Sequence, residues 1–114
     1  MKKDDNSIEL FIQDDLQQGQ TVRRILFIPF NPNETEKAFR IFDDNNDALF
    51  YASTRLHNLN KVDSGYEVDV TNADNLLGKR CELVQPKTRQ ILLKGRIATK
   101  KAEATILNMN KKVV

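Results

Sequence analysis

The chain of 114 residues has no tryptophan, one cysteine, one histidine and four glycines. With Cys81 alone no disulfide can form within the chain, which favours a reducing compartment and predicts a cytoplasmic location. A zinc site built from cysteine and histidine needs more ligands than the chain has. The glycines are isolated from one another, which excludes a P-loop and a Gly-rich dinucleotide turn. We therefore predict neither a metal nor a cofactor.

Long apolar runs are also missing. Runs such as Ile25 to Ile28 are far short of the ~20 residues that span a bilayer, and the N-terminal sequence MKKDDNSIELF has no apolar segment of signal-peptide length. We therefore expect a soluble chain with no membrane partner. Its 39% apolar and 30% charged residues are typical of a globular domain. We expect one domain over residues 1–114, with flexible ends at 1–7 and 110–114.

The side chains for catalysis are scarce. His57 and Cys81 are the only histidine and cysteine, and we interpret them as a polar loop residue and a small buried thiol. The acidic segment DDNND at 43–47 matches the first, third and fifth positions of an EF-hand loop. However, Ala48 replaces the required glycine and Thr54 the bidentate glutamate. These observations predict a solvated hairpin tip and a protein that is not an enzyme.

The apolar pattern favours strands over helices. Alternating or fully apolar segments, separated by turn residues, recur at intervals typical of β-structure. We predict strands in five segments, 7–13, 21–30, 66–71, 79–85 and 89–99, with a loop over 14–20. The fold class is mainly β or α+β. The expected architecture is a small antiparallel barrel or curved sheet, OB-like by analogy of strand number, with one or two short helices.

Two of the three remaining segments have more than one interpretation. Residues 37–53 resemble a hairpin closed by DDNND, followed by a helical turn or loop to Asn60, although a helix beginning at Asn46 or Asp47 is the alternative. Residues 72–78 resemble one capped helical turn closed by glycine. Residues 99–110 fit a last strand and a helix equally well.

Charge is divided unevenly along the chain. Residues 1–77 contain 8 Lys and Arg against 14 Asp and Glu, a net charge of −6, whereas residues 78–114 contain 10 against 2, a net charge of +8. This asymmetry suggests that the C-terminal third contacts an acidic partner. The alternative is that the basic third packs beside the acidic part of its own fold.

The stretch ILLKGRIATKK at 91–101 makes nucleic acid the leading candidate partner. On an extended strand Lys94, Arg96 and Lys100 would line one face, where positive side chains can neutralise successive phosphates. Single-strand binding also needs aromatic stacking platforms, and no aromatic residue follows Tyr66. The candidate binding residues are therefore eight basic residues and two aromatics of the predicted hairpin: Lys79, Arg80, Lys87, Arg89, Lys94, Arg96, Lys100, Lys101, Phe42 and Tyr51.

Gly95 decides whether that basic row is continuous. Glycine inside a strand marks a bulge, a bend or a close approach of another group. A bulge at Gly95 would turn Arg96 and Lys100 away from the face of Lys94.

The leading hypothesis is a non-enzymatic β domain that binds single-stranded DNA or RNA through its basic third. The alternative is a protein interaction or assembly module, associating as a homo-oligomer or with a protein partner through edge strands or charge complementarity. The composition is reminiscent of small proteins of phages and mobile elements.

Overall fold

A computed structural model describes residues 7–15, 23–73 and 75–99. This part of the chain consists of strands joined by turns, and it contains no helix. No segment of it is therefore a helix that could cross a membrane. The eight strands are β1 (Ser7–Asp15), β2 (Arg23–Ile28), β3 (Ala38–Phe42), β4 (Ala48–Ser53), β5 (Leu59–Val62), β6 (Gly65–Asp69), β7 (Arg80–Gln85) and β8 (Gln90–Thr99).

All eight strands belong to one sheet in the order β4-β3-β7-β8-β1-β2-β6-β5. Neighbouring strands are antiparallel except β1 and β8, which are parallel. The sheet curls until its two edge strands approach each other, where the Asn58 N–H donates to Ser53 O and the Ser53 N–H donates to Asn58 Oδ1. The prediction of a mainly β, barrel-like fold is confirmed. The sheet is mixed, and it has eight strands where an OB fold has five.

The core fills the inside of this curled sheet. Alternate residues of each strand point inward, and the largest fully buried side chains include Tyr66, Phe39, Leu26 and Leu83. Burying these side chains is the main source of stability for a domain that has no disulfide between its strands.

Two places in the ladder carry one extra residue. Between β3 and β4 the register shifts so that Leu49 lies between the paired residues Ala48 and Phe50. Between β7 and β8 the shift lies at Leu92, because Leu93 pairs with Leu83 and Ile91 pairs with Val84. Such bulges increase local twist and help a sheet to curl.

Gly95 lies within regular pairing, opposite Cys81 on one side and Ile8 on the other. A Cβ placed there would lie 3.0 Å from the Ile8 carbonyl oxygen and 3.1 Å from Leu10 Cγ. The glycine therefore marks a close approach, and Lys94 and Arg96 on either side of it share the exposed face.

The hairpin predicted over residues 37–53 is confirmed, since β3 pairs with β4, and the alternative helix is absent from this described segment. The strand β5 was not predicted. Its sequence, LNKV, is too short and too polar to show a pattern, and it is a strand because it pairs with β6 across a two-residue turn. The boundary of β1 was also wrong, because Asp14 and Asp15 pair with β2 and belong to the strand.

The helical turn predicted over residues 72–78 is wrong for the residues described there. Asn75 has a φ of 59°, a left-handed conformation that interrupts a right-handed helix, whereas Gly78, with a φ of 80°, has the conformation expected of a closing glycine. Leu76 points into the core between them and anchors the turn. The predicted loop at 16–20 and the open question of residues 100–110 lie outside the described residues.

Candidate nucleic-acid interface

Most of the candidate residues in the described part lie on one outer face of the sheet. The register places Tyr51, Arg40, Glu82 and Lys94 side by side across β4, β3, β7 and β8. The adjacent line runs through Phe42, Arg80, Arg96 and Glu9 across β3, β7, β8 and β1. We call the group formed by Arg40, Phe42, Tyr51, Arg80, Lys94 and Arg96 the basic face. The basic face spans four neighbouring strands, and the three spacings between them make it roughly 14 Å wide.

Phe42 lies between two guanidinium groups. The Cζ of Arg80 is 4.6 Å from the centre of the Phe42 ring, and the Cζ of Arg40 is 5.5 Å from it. Both distances are within the range of a cation–π interaction. The ring is half-buried by these contacts, so it orients the two arginines and offers less surface to a ligand than Tyr51, a residue that is 48% exposed.

Glu82 is the counter-charge within this face. Its side chain is buried, its Oε1 lies 3.0 Å from Arg40 Nη2, and its Oε2 lies 3.5 Å from Arg80 Nη1. Because one carboxylate is shared between two partly exposed guanidiniums, the three groups together retain a positive charge.

Lys94 and Arg96 are cations of the basic face that form no ion pair within the described residues, although the register places Glu82 beside Lys94 and Glu9 beside Arg96. Both are exposed, and within the described residues no carboxylate lies within 4 Å of either side chain. Arg96 Nη1 donates to the carbonyl oxygen of Gly78 at 2.9 Å, which holds its guanidinium against the 75–78 turn.

The remaining candidates are placed differently. Lys87 and Arg89 are exposed in the turn between β7 and β8, at the far end of the same two strands. Lys79 is only partly exposed, and its Nζ pairs with Asp44 at 3.2 Å, so its charge is offset locally. Lys100 and Lys101 lie outside the described residues.

Arg40 and Glu82 were not recognised from the sequence. Arg40 lies within residues 1–77, whose net charge is −6, so a count of charge along the chain does not single it out. The alternation in AFRIF was the available signal, because inward Phe39 and Ile41 place Ala38, Arg40 and Phe42 together on the other face. Nothing in the sequence placed Glu82 between two arginines.

In the acidic tip of the β3–β4 hairpin, a carboxylate accepts hydrogen bonds from the backbone of the tip itself. Asp43 Oδ1 accepts the N–H groups of Asn45 at 2.8 Å and Asp47 at 2.9 Å. Asn46 takes a left-handed conformation with φ of 69°, as asparagine readily does in turns. Among residues 7–15, 23–73 and 75–99, no three His, Cys, Asp or Glu side chains come together as a metal site.

Lys37 is a buried cation at the other end of the barrel from this tip. Its Nζ donates to Asn33 Oδ1 at 2.6 Å, to the Thr35 carbonyl at 2.9 Å and to Thr35 Oγ1. Burial lowers the pKa of Lys37, and the charge of Lys61 lowers it further. All three N–H bonds are used within the loop before β3, so this lysine holds the loop in place.

Cys81 and His57 occupy separate environments. Cys81 is buried in β7, where burial raises the pKa of its thiol to about 12 and the charge of Glu82 adds to the shift. His57 is exposed in the turn after β4, with a φ of 65°. A buried neutral thiol is a poor nucleophile, which assigns Cys81 to the core.

We expect Cys81 to be unreactive toward an aromatic disulfide reagent at pH 8 while the protein is folded. Because the thiolate is the reactive species and is suppressed by burial, labelling should follow the fraction of unfolded protein. The measurement is the labelling rate across a urea titration, compared with the transition in circular dichroism. Full labelling within seconds in the absence of urea would contradict the burial of Cys81.

Comparison with known proteins gives no relative for this chain: no family, curated protein or solved structure matches it. The basic face is therefore the feature from which a function can be inferred.

Proposed function

We propose that the protein is a non-enzymatic nucleic-acid-binding β domain that prefers single-stranded DNA or RNA. The observation that carries the proposal is the basic face, where Arg40, Arg80, Lys94 and Arg96 lie beside Phe42 and Tyr51 on adjacent strands. Cations along a surface neutralise phosphates and release counterions, and an exposed ring stacks on unpaired bases. A nucleic-acid partner is consistent with the predicted cytoplasmic location.

The shape of the surface favours a single strand over a duplex. Reading a duplex commonly uses a helix or a two-stranded ribbon that enters a groove, whereas the basic face is the outer surface of a curved sheet. Tyr51 can stack only on a base that has left the helical stack. The partly exposed arginines and exposed Lys94 would then follow the phosphates on either side of that base.

The direct test is a salt titration of binding to a labelled single-stranded oligonucleotide of about 15 nucleotides. One phosphate contact from each of the four cations of the basic face gives an expected slope of about −2.8 in log affinity against log salt. The affinity should therefore fall about 50-fold between about 50 and 200 mM salt. A duplex of the same sequence should bind more weakly. Absence of binding at about 50 mM salt, or an affinity that salt does not change, would overturn the proposal.

Replacing Lys94 and Arg96 together with alanine should weaken binding and reduce the magnitude of the salt slope. Two lost contacts lower the slope by about 1.4 and the affinity in about 0.1 M salt by roughly 25-fold. The matched control replaces Arg24 of β2 and Lys61 of β5 with alanine, which removes the same charge from strands that do not belong to the basic face. Equal losses in the two double variants would show that net charge alone determines binding.

A protein interaction module is the second candidate, and it is favoured by the outer edge of β4, which none of the described strands pairs with. The Ser53 backbone groups on this edge are occupied by Asn58, but Tyr51 belongs to a pair that does not hydrogen-bond to β3, so its N–H and C=O face outward. Leu49 on the same edge is 43% exposed. Another strand could pair there, which would suit an assembly module of a phage or mobile element.

Light scattering over a range of protein concentrations separates the two candidates. A dimer that forms without nucleic acid, and that a proline at Tyr51 abolishes, would support the interaction module. A monomer that binds the oligonucleotide would favour the first proposal.

A further inference from the structure

A pocket of about 390 Å³ lies at the end of the basic face nearest the turn between β7 and β8. This volume is within the range of small-molecule sites. Its apolar lining is contributed by Ala38, Val84 and Pro86, and its other lining residues are Arg40, Tyr51 and Arg89. The pocket thus combines an exposed aromatic ring, an apolar wall and two guanidinium groups.

Arg89 has a strained backbone. Four non-glycine residues in the described chain have positive φ: Asn46, His57, Asn75 and Arg89, the last with φ of 65°. Asparagine and histidine adopt this conformation more readily than most residues, whereas a long unbranched side chain gains nothing from it. Its backbone N–H donates to the Gln85 carbonyl at 2.7 Å, which closes the turn. Strain at the wall of a pocket is an outlier that motivates a functional hypothesis for the side chain.

Arg40 has hydrogen-bonding capacity that the fold does not use. Its Nη2 is held by Glu82, but its Nε is buried and has no acceptor in the described structure. The Nε atom has no accessible surface for a ligand, but the Arg40 side chain as a whole is 40% exposed, so the outer edge of its guanidinium is available to an anion in the pocket.

We propose that this pocket is a nucleotide subsite, in which a nucleobase stacks on Tyr51 against Pro86 and its phosphate is bound by Arg89 and Arg40. The inference rests on the proposed function and deepens it, because it assigns one base of the strand to one place. The rest of the basic face contacts backbone phosphates, and this pocket contributes the preference for a chain that carries bases.

The first experiment compares the normal oligonucleotide with an abasic deoxyribose-phosphate chain of the same length and charge. Stacking one base is worth about 1–3 kcal/mol, so the normal strand should bind about tenfold more tightly. The variant Tyr51→Leu should remove this preference, and Tyr51→Phe should keep it because the ring remains. Lys94→Ala is the matched control, since it should weaken both chains and leave their ratio unchanged.

The second experiment uses the strain at Arg89. The variant Arg89→Asn should raise the melting temperature by about 3 °C, because asparagine tolerates the left-handed conformation. It should also weaken oligonucleotide binding about fivefold through the lost charge. Lys87→Asn removes the same charge from the same turn, and we expect no rise in melting temperature. An Arg89→Asn variant that binds as tightly as the parent chain would overturn the role given to Arg89.

A third measurement separates failure of the subsite from failure of the proposed function. The chain has two tyrosines, and Tyr66 is fully buried, so 3-fluorotyrosine labelling gives one exposed and one core ¹⁹F signal. A nucleoside monophosphate should shift the Tyr51 signal alone, and inorganic phosphate should shift it much less. Such a shift without oligonucleotide binding would support the subsite and overturn the proposed function.

The opposite results are equally decisive. If the oligonucleotide binds but Tyr51→Leu keeps the tenfold preference for bases, the subsite is overturned and the proposed function stands. If neither the oligonucleotide nor the nucleotide has any effect, both are overturned.

Discussion

Replacing Gly65 with alanine should lower the free energy of unfolding by about 3 kcal/mol, at the upper end of the usual cost of overpacking a core. A Cβ at this position would lie 2.2 Å from the carbonyl oxygen of Ile28, and 2.8 Å from Cζ of the Phe27 ring. Ile28 is fixed by its pairing with Tyr66, so the oxygen cannot move aside without separating β2 from β6. The substitution therefore acts on the backbone of two strands.

Urea denaturation followed by circular dichroism measures this effect, with Ser64→Ala as the control. Ser64 is exposed in the same turn, and its substitution should change stability by less than about 0.5 kcal/mol. A Gly65→Ala variant as stable as the Ser64 control would show that β6 does not approach Ile28 this closely.

The second large effect is expected for Glu82→Gln, with opposite signs for stability and binding. The variant loses the charge that Arg40 and Arg80 share, at 3.0 and 3.5 Å from the carboxylate oxygens. Hydrogen bonds to charged groups contribute about 1.5–3 kcal/mol, and the partial exposure of both arginines reduces their value here. We expect a loss of about 2 kcal/mol in unfolding free energy.

Oligonucleotide affinity should rise about fivefold in the same variant, because removing one negative charge strengthens the attraction of the basic face for phosphates. Glu67→Gln is the control, since it makes the same charge change on the outer face of β6, away from the basic face. Weaker binding by Glu82→Gln would mean that Glu82 acts mainly by holding the two arginines in position. Unchanged binding would mean that they do not contact the ligand.

Much of the fold could be predicted because the relevant signals are local. Apolar alternation marked β1 and β6, and turn residues marked the ends of β2 and the β3–β4 hairpin. Where the conformation of a segment depends on contacts with distant parts of the chain, the sequence did not predict it. The strand β5 exists because β6 lies beside it, and the 75–78 turn is irregular because Leu76 is drawn into the core. Such long-range contacts override weak local preferences.

The candidate site, like the fold, could be predicted only where the signal lies within one strand. Exposure of Lys94 and Arg96 on one strand face follows from the period of two along β8. That Tyr51 shares a face with them, three strands away, depends on the order in which β4, β3, β7 and β8 assemble. The alternation of residues along a strand does not show which strands lie beside it. The sequence therefore does not predict that Arg40 and Arg80 lie together.

By itself, the sequence determined a β-rich chain with a single buried thiol, a basic C-terminal third and a hairpin with an acidic tip. These features depend on composition and short periodicity, which neighbouring residues specify. The tertiary structure alone decided that Lys94 and Arg96 share one face on either side of Gly95, that Glu82 divides its charge between two arginines, and that Tyr51 and Arg89 line one pocket. The physical reason is that a curled sheet brings together residues far apart in the chain, and the distances between their side chains set the electrostatics of the surface.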